Sequence, residues 1–77
     1  MLLYSRIRNL REDRDMNQTE IAKLLNVSQA TYSRYESGTL DIPSQMLIKL
    51  AIFHDTSIDY LVGLTDEIRP YKRKARP

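Results

Sequence analysis

The stretch QTEIAKLLNVSQATYSRYESG, residues 18–38, constrains the fold of this chain more than any other segment. Ile21, Ala22 and Leu25 mark one face of a short helix. Asn17 just before it suits an N-cap, and Glu20 three residues on completes a capping-box pattern. Asn26 stands where that helix must end, in a left-handed conformation that Asn tolerates. Val27 is the apolar residue after the turn. Ser28 caps a further helix that buries Tyr32 and Tyr35 before Ser37-Gly38 ends it. Two helices so joined must approach closely, and Ala22 is small enough to permit it. Ile21, Leu25, Val27, Tyr32 and Tyr35 then form one continuous apolar seam.

The rest of the chain reads as three more helices around this pair. Leu3, Ile7 and Leu10 recur at i, i+4, i+7, which predicts a first helix over about Tyr4 to Arg14, broken at Asp15-Met16. The second and third helices run about Gln18 to Leu25 and Gln29 to Glu36. Thr39 to Ile42 is a loop. Pro43-Ser44 suits a helix start, with Pro in the first turn or Ser as the cap. Leu47, Leu50, Ala51 and His54 give the inner face of a fourth helix, about Gln45 to His54, and Asp55 suits a left-handed residue after it. Ser57 caps a short fifth helix, Ile58 to Val62, with Asp59 near its positive end and Gly63 closing it. The expectation is an all-α domain over residues 1–64, built on one small core, followed over 65–77 by a basic, loosely ordered tail.

Several function classes drop out on composition. There is no cysteine, hence no disulfide framework and no thiolate metal site. His54 is the only histidine, so a zinc site or a histidine-based catalytic dyad lacks its usual second partner, and His54 reads as structural. Gly38 and Gly63 are the only glycines, too few for a phosphate-cradling loop. An enzyme, a metal and a cofactor are therefore not expected. No apolar run approaches a membrane span and the N-terminus lacks a signal-peptide core, so a cytoplasmic protein is expected. The net charge of +2 is uneven. Arg69, Lys72, Arg73, Lys74 and Arg76 leave seven basic against ten acidic groups in residues 1–68, a net of −3. The tail reads either as a solubilising end or as an arm that tracks DNA phosphates.

On pattern alone, residues 18–38 fit both a generic helical hairpin and a helix-turn-helix that pushes its second helix end-first into the DNA major groove. Three stretches in order favour the second: IRNLR (Ile7 to Arg11), Asn17 to Gly38, and IKLA with SIDYLVGLTD (Ile48 to Asp66). Together they resemble the phage repressor/Cro type, or XRE-type, of helix-turn-helix domain over about residues 3–64. The resemblance implies a compact five-helix, lambda-repressor-like domain that binds double-stranded operator DNA, commonly as a homodimer. It implies that Gln18 bonds a phosphate and supports Gln29, and that Gln29 reads a base. It also implies an ion pair between Arg11 and Glu36, structural rather than DNA-reading.

A glutamine amide at position 29 suits bidentate pairing with adenine N6 and N7. Ala30, Thr31, Ser33 and Arg34 share the outward face of the third helix, opposite Tyr32 and Tyr35. Ala30 or the Thr31 methyl suits a thymine methyl, and Arg34 suits a guanine edge, a phosphate or plain solvent. Ser28 and Thr39 offer hydroxyls and backbone N–H groups to phosphates. The family often has Lys or Arg just after the glycine; Thr39-Leu40-Asp41 stands there instead, which weakens a phosphate clamp in that loop. One short helix reads few base pairs, so a dimer is expected, with Tyr60, Leu61, Leu64 and Ile52 as contact candidates. The favoured function is a small transcriptional repressor, with no separate effector domain. The alternative is a protein-interaction module, an antitoxin or adaptor on the same fold.

Overall fold

Among the described residues, each helix is followed within one or two residues by one that turns the backbone left-handed. The computed structural model describes residues 5–72: α1 (Ser5–Asp13), α2 (Gln18–Leu25), α3 (Gln29–Ser37), α4 (Ser44–Phe53) and α5 (Ile58–Leu61), with no strand among the described residues. After them come Asp15 (φ 54°), Asn26 (59°), Gly38 (78°), Asp55 (53°) and Gly63 (84°). Gly has no Cβ to clash there, and Asn and Asp tolerate the conformation best among the rest. The N–H groups of Asn26 and Val27 close on the Lys23 and Ala22 carbonyls, so the last turn of α2 is satisfied from its own exit.

The helix starts are equally specific. Asn17 Oδ1 accepts the Glu20 N–H at 2.9 Å and Glu20 Oε1 accepts the Asn17 N–H at 2.9 Å, the reciprocal box expected for α2. Ser28 and Ser57 cap α3 and α5 by accepting the N–H of Thr31 (3.1 Å) and Tyr60 (3.0 Å). The start of α4 takes neither of the two expected forms. Pro43 occupies the cap position, Ser44 is the first helical residue, and no side chain caps the helix. Pro43 prepares the entry by its fixed φ of −58°. His54 likewise stands just past the last turn of α4, and Leu3 and Tyr4 of the expected first helix lie outside the described residues.

The core sits where the helices meet: Ile7 and Leu10 from α1, Ile21, Ala22 and Leu25 from α2, Tyr32 and Tyr35 from α3, Leu50 and Ala51 from α4, Leu61 from α5, with Ile42 from the loop. Full burial of a side chain such as Ile7 or Leu50 contributes about 1.5–3 kcal/mol each. Leu61, expected at a dimer contact, is 1% exposed and belongs to this core. The single turn of α5 packs on α1 and α4, and it aims Leu61 inward. Of the other candidates, Leu64 (77% exposed) and Ile52 (46%) face outward, and Tyr60 is half-buried.

Arginines of α1 and its exit fasten the far side. The Arg6 guanidinium lies 4.2 Å from the centre of the Tyr60 ring, donates to the Tyr60 carbonyl at 2.9 Å and the Thr65 carbonyl, and meets Asp66 at 2.6 Å. Arg14 sits 4.6 Å over the Phe53 ring and donates to the Phe53 carbonyl at 3.0 Å. Residues 65–72 follow the body: Thr56 Oγ1 donates to the Ile68 carbonyl, and the Tyr71 hydroxyl donates to Asp59 at 2.9 Å. Arg73, Lys74 and Arg76 of the basic stretch lie outside the described residues. No helix of the described residues is long and apolar enough to cross a membrane.

His54 is buried against Phe53, edge to face at 5.0 Å, and neither ring nitrogen has a hydrogen-bond partner among the described residues. Burial, and secondarily the Arg14 charge, push its pKa from 6.5 down to about 4. The folded state therefore holds a neutral imidazole. Its contribution to stability is complete above pH 6.5 and declines as pH falls towards 4, by up to roughly 3 kcal/mol. Melting curves of the protein and of His54→Leu at pH 7 and pH 4.5 check this. The variant should lose less melting temperature on acidification; an equal loss would mean that carboxylates account for the acid limb.

Candidate nucleic-acid interface

Gln18 opens α2 and Gln29 opens α3, and the tight turn at Asn26 brings those two helix starts side by side. Gln29 Nε2 donates to Gln18 Oε1 at 2.6 Å. Gln18 Nε2 donates to Glu36 Oε1 at 3.1 Å. Glu36 in turn takes a two-pronged bond from Arg11, Nε to Oε2 at 2.7 Å and Nη2 to Oε1 at 3.1 Å. Arg11 Nη1 completes the set on the Met16 carbonyl at 2.8 Å. One unbroken relay of side chains thus runs from α1 to the exposed tip of α3.

Glu36 is only 4% exposed. Burial works against its charge, but the hydrogen bonds from Arg11 and Gln18 outweigh it and hold the carboxyl below the ordinary value. Beside it, Tyr32 is fully buried, its ring edge-on to Tyr35 at 6.3 Å. The Tyr32 hydroxyl is enclosed beside Glu36, and burial first, then that carboxylate, push its pKa upward.

The outward face of α3 carries Gln29, Ala30 and Arg34 exposed, with Thr31 and Ser33 half-buried. Ser33 opens on a shallow cleft of about 340 Å³ shared with Arg8, Arg11, Gln18, Glu36 and Ser37. Ser28 is occupied internally: it accepts the Thr31 N–H at 3.1 Å and donates its own proton to Thr31 Oγ1 at 2.9 Å. Thr39 is also committed in part. Its N–H, expected to serve a phosphate, donates to the Arg34 carbonyl at 3.1 Å in closing α3, and its hydroxyl lies 2.6 Å from that of Ser37.

Two features of this face escape the sequence reading. Arg8 stands at the cleft and pairs with Glu12 one turn on at 3.6 Å. The bond from Gln18 to Glu36 links what reads in sequence as two separate pairs. A signal for it exists: Gln29, Ser33 and Glu36 fall at i, i+4, i+7, one stripe of α3, so all three face the start of α2.

Residues 7–61 match the family described as Helix-turn-helix. The chain is 43% identical over 62 residues to the "Cryptic phage CTXphi transcriptional repressor RstR" of Vibrio cholerae, covering 80% of this chain and 56% of that protein. It is 32% identical over 65 residues to the "Uncharacterized HTH-type transcriptional regulator YobD" of Bacillus subtilis, covering 84% and 58%. Antitoxin PezA of Streptococcus pneumoniae is 26% identical over 69 residues, covering 90% and 44%. The chain spans about half the length of these curated relatives. No solved structure matches it.

The Arg11–Glu36 pair generates a stability prediction. Arg11→Ala strands a buried carboxylate and should cost about 3 kcal/mol, since removing one partner of a buried pair leaves the other uncompensated. Adding Glu36→Gln should restore part of that loss. Chemical denaturation of the two single variants and the double variant measures the coupling; additive effects would show that the pair does not interact.

Proposed function

Because this chain belongs to the helix-turn-helix family, we propose that it is a sequence-specific DNA-binding regulator, a small repressor that acts by occupying operator DNA. The observation that carries this reading is the relay ending at Gln29. It fixes a long amide at the exposed tip of α3, where a helix entering the major groove meets base edges. Gln29 reads adenine through N6 and N7. Gln18 keeps a second N–H for a phosphate. Ala30, Thr31, Ser33 and Arg34 extend the contact face, and the Ser28 and Thr39 hydroxyls flank it. Repression follows from steric exclusion of polymerase. The reading involves no catalytic step and no cofactor, and it places the protein in the cytoplasm.

Homodimerisation is part of the proposal. α3 has nine residues and reaches only a few base pairs, so selectivity against a genome needs two half-sites. Exposed Ile52 and Leu64 are apolar surface available for the contact. The second reading, a protein-interaction module, draws on the similarity to antitoxin PezA. An electrophoretic shift against random genomic fragments at moderate salt separates the two. Retarded fragments sharing a sequence support the regulator; a stoichiometric protein partner with no retarded DNA supports the module.

Two outcomes are expected on the selected operator. Gln29→Ala should cost on the order of 1–3 kcal/mol per half-site and relax preference at one position. Competition binding with single-base operator variants reads both effects, and a wild-type selectivity profile in Gln29→Ala would remove it as the base reader. Footprinting should show two protected half-sites about one helical turn apart, ~34 Å. A single asymmetric half-site at saturation would count against the dimer.

A further inference from the structure

Resting on that DNA-reading function, we propose that Glu36 is a positioning residue that makes Gln29 an adenine reader and turns guanine away, acting through Gln18. The argument is one of hydrogen-bond direction. An ionised carboxylate only accepts, so the Gln18 atom that faces Glu36 must be the amide nitrogen. The Gln18 carbonyl is then the atom left for Gln29, and Gln29 must meet it with an N–H. Of the two N–H groups on Gln29, one is thereby committed. The other N–H and the carbonyl oxygen lie along the remaining edge of the amide, at a side chain exposed on the tip of α3.

That edge offers one donor and one acceptor. Adenine presents the complement in the major groove, the N7 acceptor and the N6 donor. Guanine presents N7 and O6, two acceptors, one of which opposes the Gln29 carbonyl. Were the relay to run the other way, with the Gln18 nitrogen towards Gln29, the Gln29 carbonyl would turn inward. The outer edge would still carry one donor and one acceptor, but in exchanged places, so the N–H would meet the purine 6-position, where guanine O6 accepts and the adenine amino group does not. The choice is made 11 residues from Gln18 and seven from Glu36 along the chain, by a carboxylate that touches no base. Arg11 shares in the task, because its two-pronged bond holds Glu36 in place with both oxygens engaged.

The test is selection of bound duplexes from a randomised pool, with the full chain and with Glu36→Gln. That variant keeps the size of the side chain but exchanges one acceptor for a donor, so Gln18 is free to turn over. The parent chain should favour adenine over guanine at one position per half-site by about tenfold or more. Glu36→Gln should reduce that ratio by about fivefold or more at that position and leave the other positions as they were. A folded Glu36→Gln with an unchanged ratio overturns the inference. If its melting curve shows that it does not fold, Gln18→Met decides. It cuts the relay without touching the Arg11–Glu36 pair, and the same ratio must fall; an unchanged ratio overturns the inference. A parent chain that selects no sequence removes the DNA-reading function and the inference together. A parent that selects sequences, beside variants that keep its ratio, removes the relay alone.

Discussion

The Glu36 carboxylate is the point on which three helices depend. It lies on α3, takes its charge partner from α1 and its third hydrogen bond from α2. A buried carboxylate without partners would protonate or drive the helices apart, and with these partners it stays charged below the ordinary carboxyl pKa. The apolar seam beneath it sets how closely α2 and α3 approach, but burial has no direction and tolerates sliding. Three hydrogen bonds on two oxygens do not. The pair adds register more than it adds net stability, which is how buried ion pairs contribute where they are kept.

Register matters here because the helices are short. The longest has ten residues and α5 has four, far below the length at which a helix is stable in water alone. Their ends carry a large share of the unpaired backbone groups. The chain closes those ends locally: side-chain caps at Asn17, Ser28 and Ser57, and a left-handed residue after each of the five helices. The connection from α2 to α3 is only three residues long, Asn26 to Ser28, so these two helices cannot drift apart. The side-by-side helix starts at Gln18 and Gln29, and hence the candidate interface, are a direct consequence of Asn26 adopting φ 59°.

These local devices are what made so much of the fold legible in sequence. The α2 bounds, the Asn17 box, the Ser28 and Ser57 caps and the left-handed Asn26 and Asp55 all follow from residue types at fixed offsets. What escaped depends on tertiary aim. Leu61 reads as surface because a four-residue helix shows no periodicity, yet packing on α1 and α4 turns it inward. Ser44 reads as a cap, but Pro43 ahead of it occupies the cap position. The contacts of residues 65–72 are invisible because Arg6 and Thr56 reach backbone carbonyls, which every residue possesses. In the interface, the pairs Gln18–Gln29 and Arg11–Glu36 were separately readable through family resemblance. Their junction at Gln18 and Glu36 was not, since it joins two helices through atoms that only the folded geometry brings to 3.1 Å.

The charge distribution makes direction more consequential than affinity. Residues 1–68 sum to −3, so a DNA reader built on this body gains little from nonspecific attraction to phosphates. The exposed face of α3 brings Arg34 as its one cationic side chain, and the loop after Gly38 brings none. Such a protein must draw its preference from directional bonds to base edges, whose worth depends on which atom, donor or acceptor, faces the groove. An amide free to rotate by half a turn would bond either purine and prefer neither. On the proposed function, the same glutamine tied to an acceptor-only carboxylate through one intermediary enters the groove with its donor and acceptor already assigned, which lowers the cost of ordering it there.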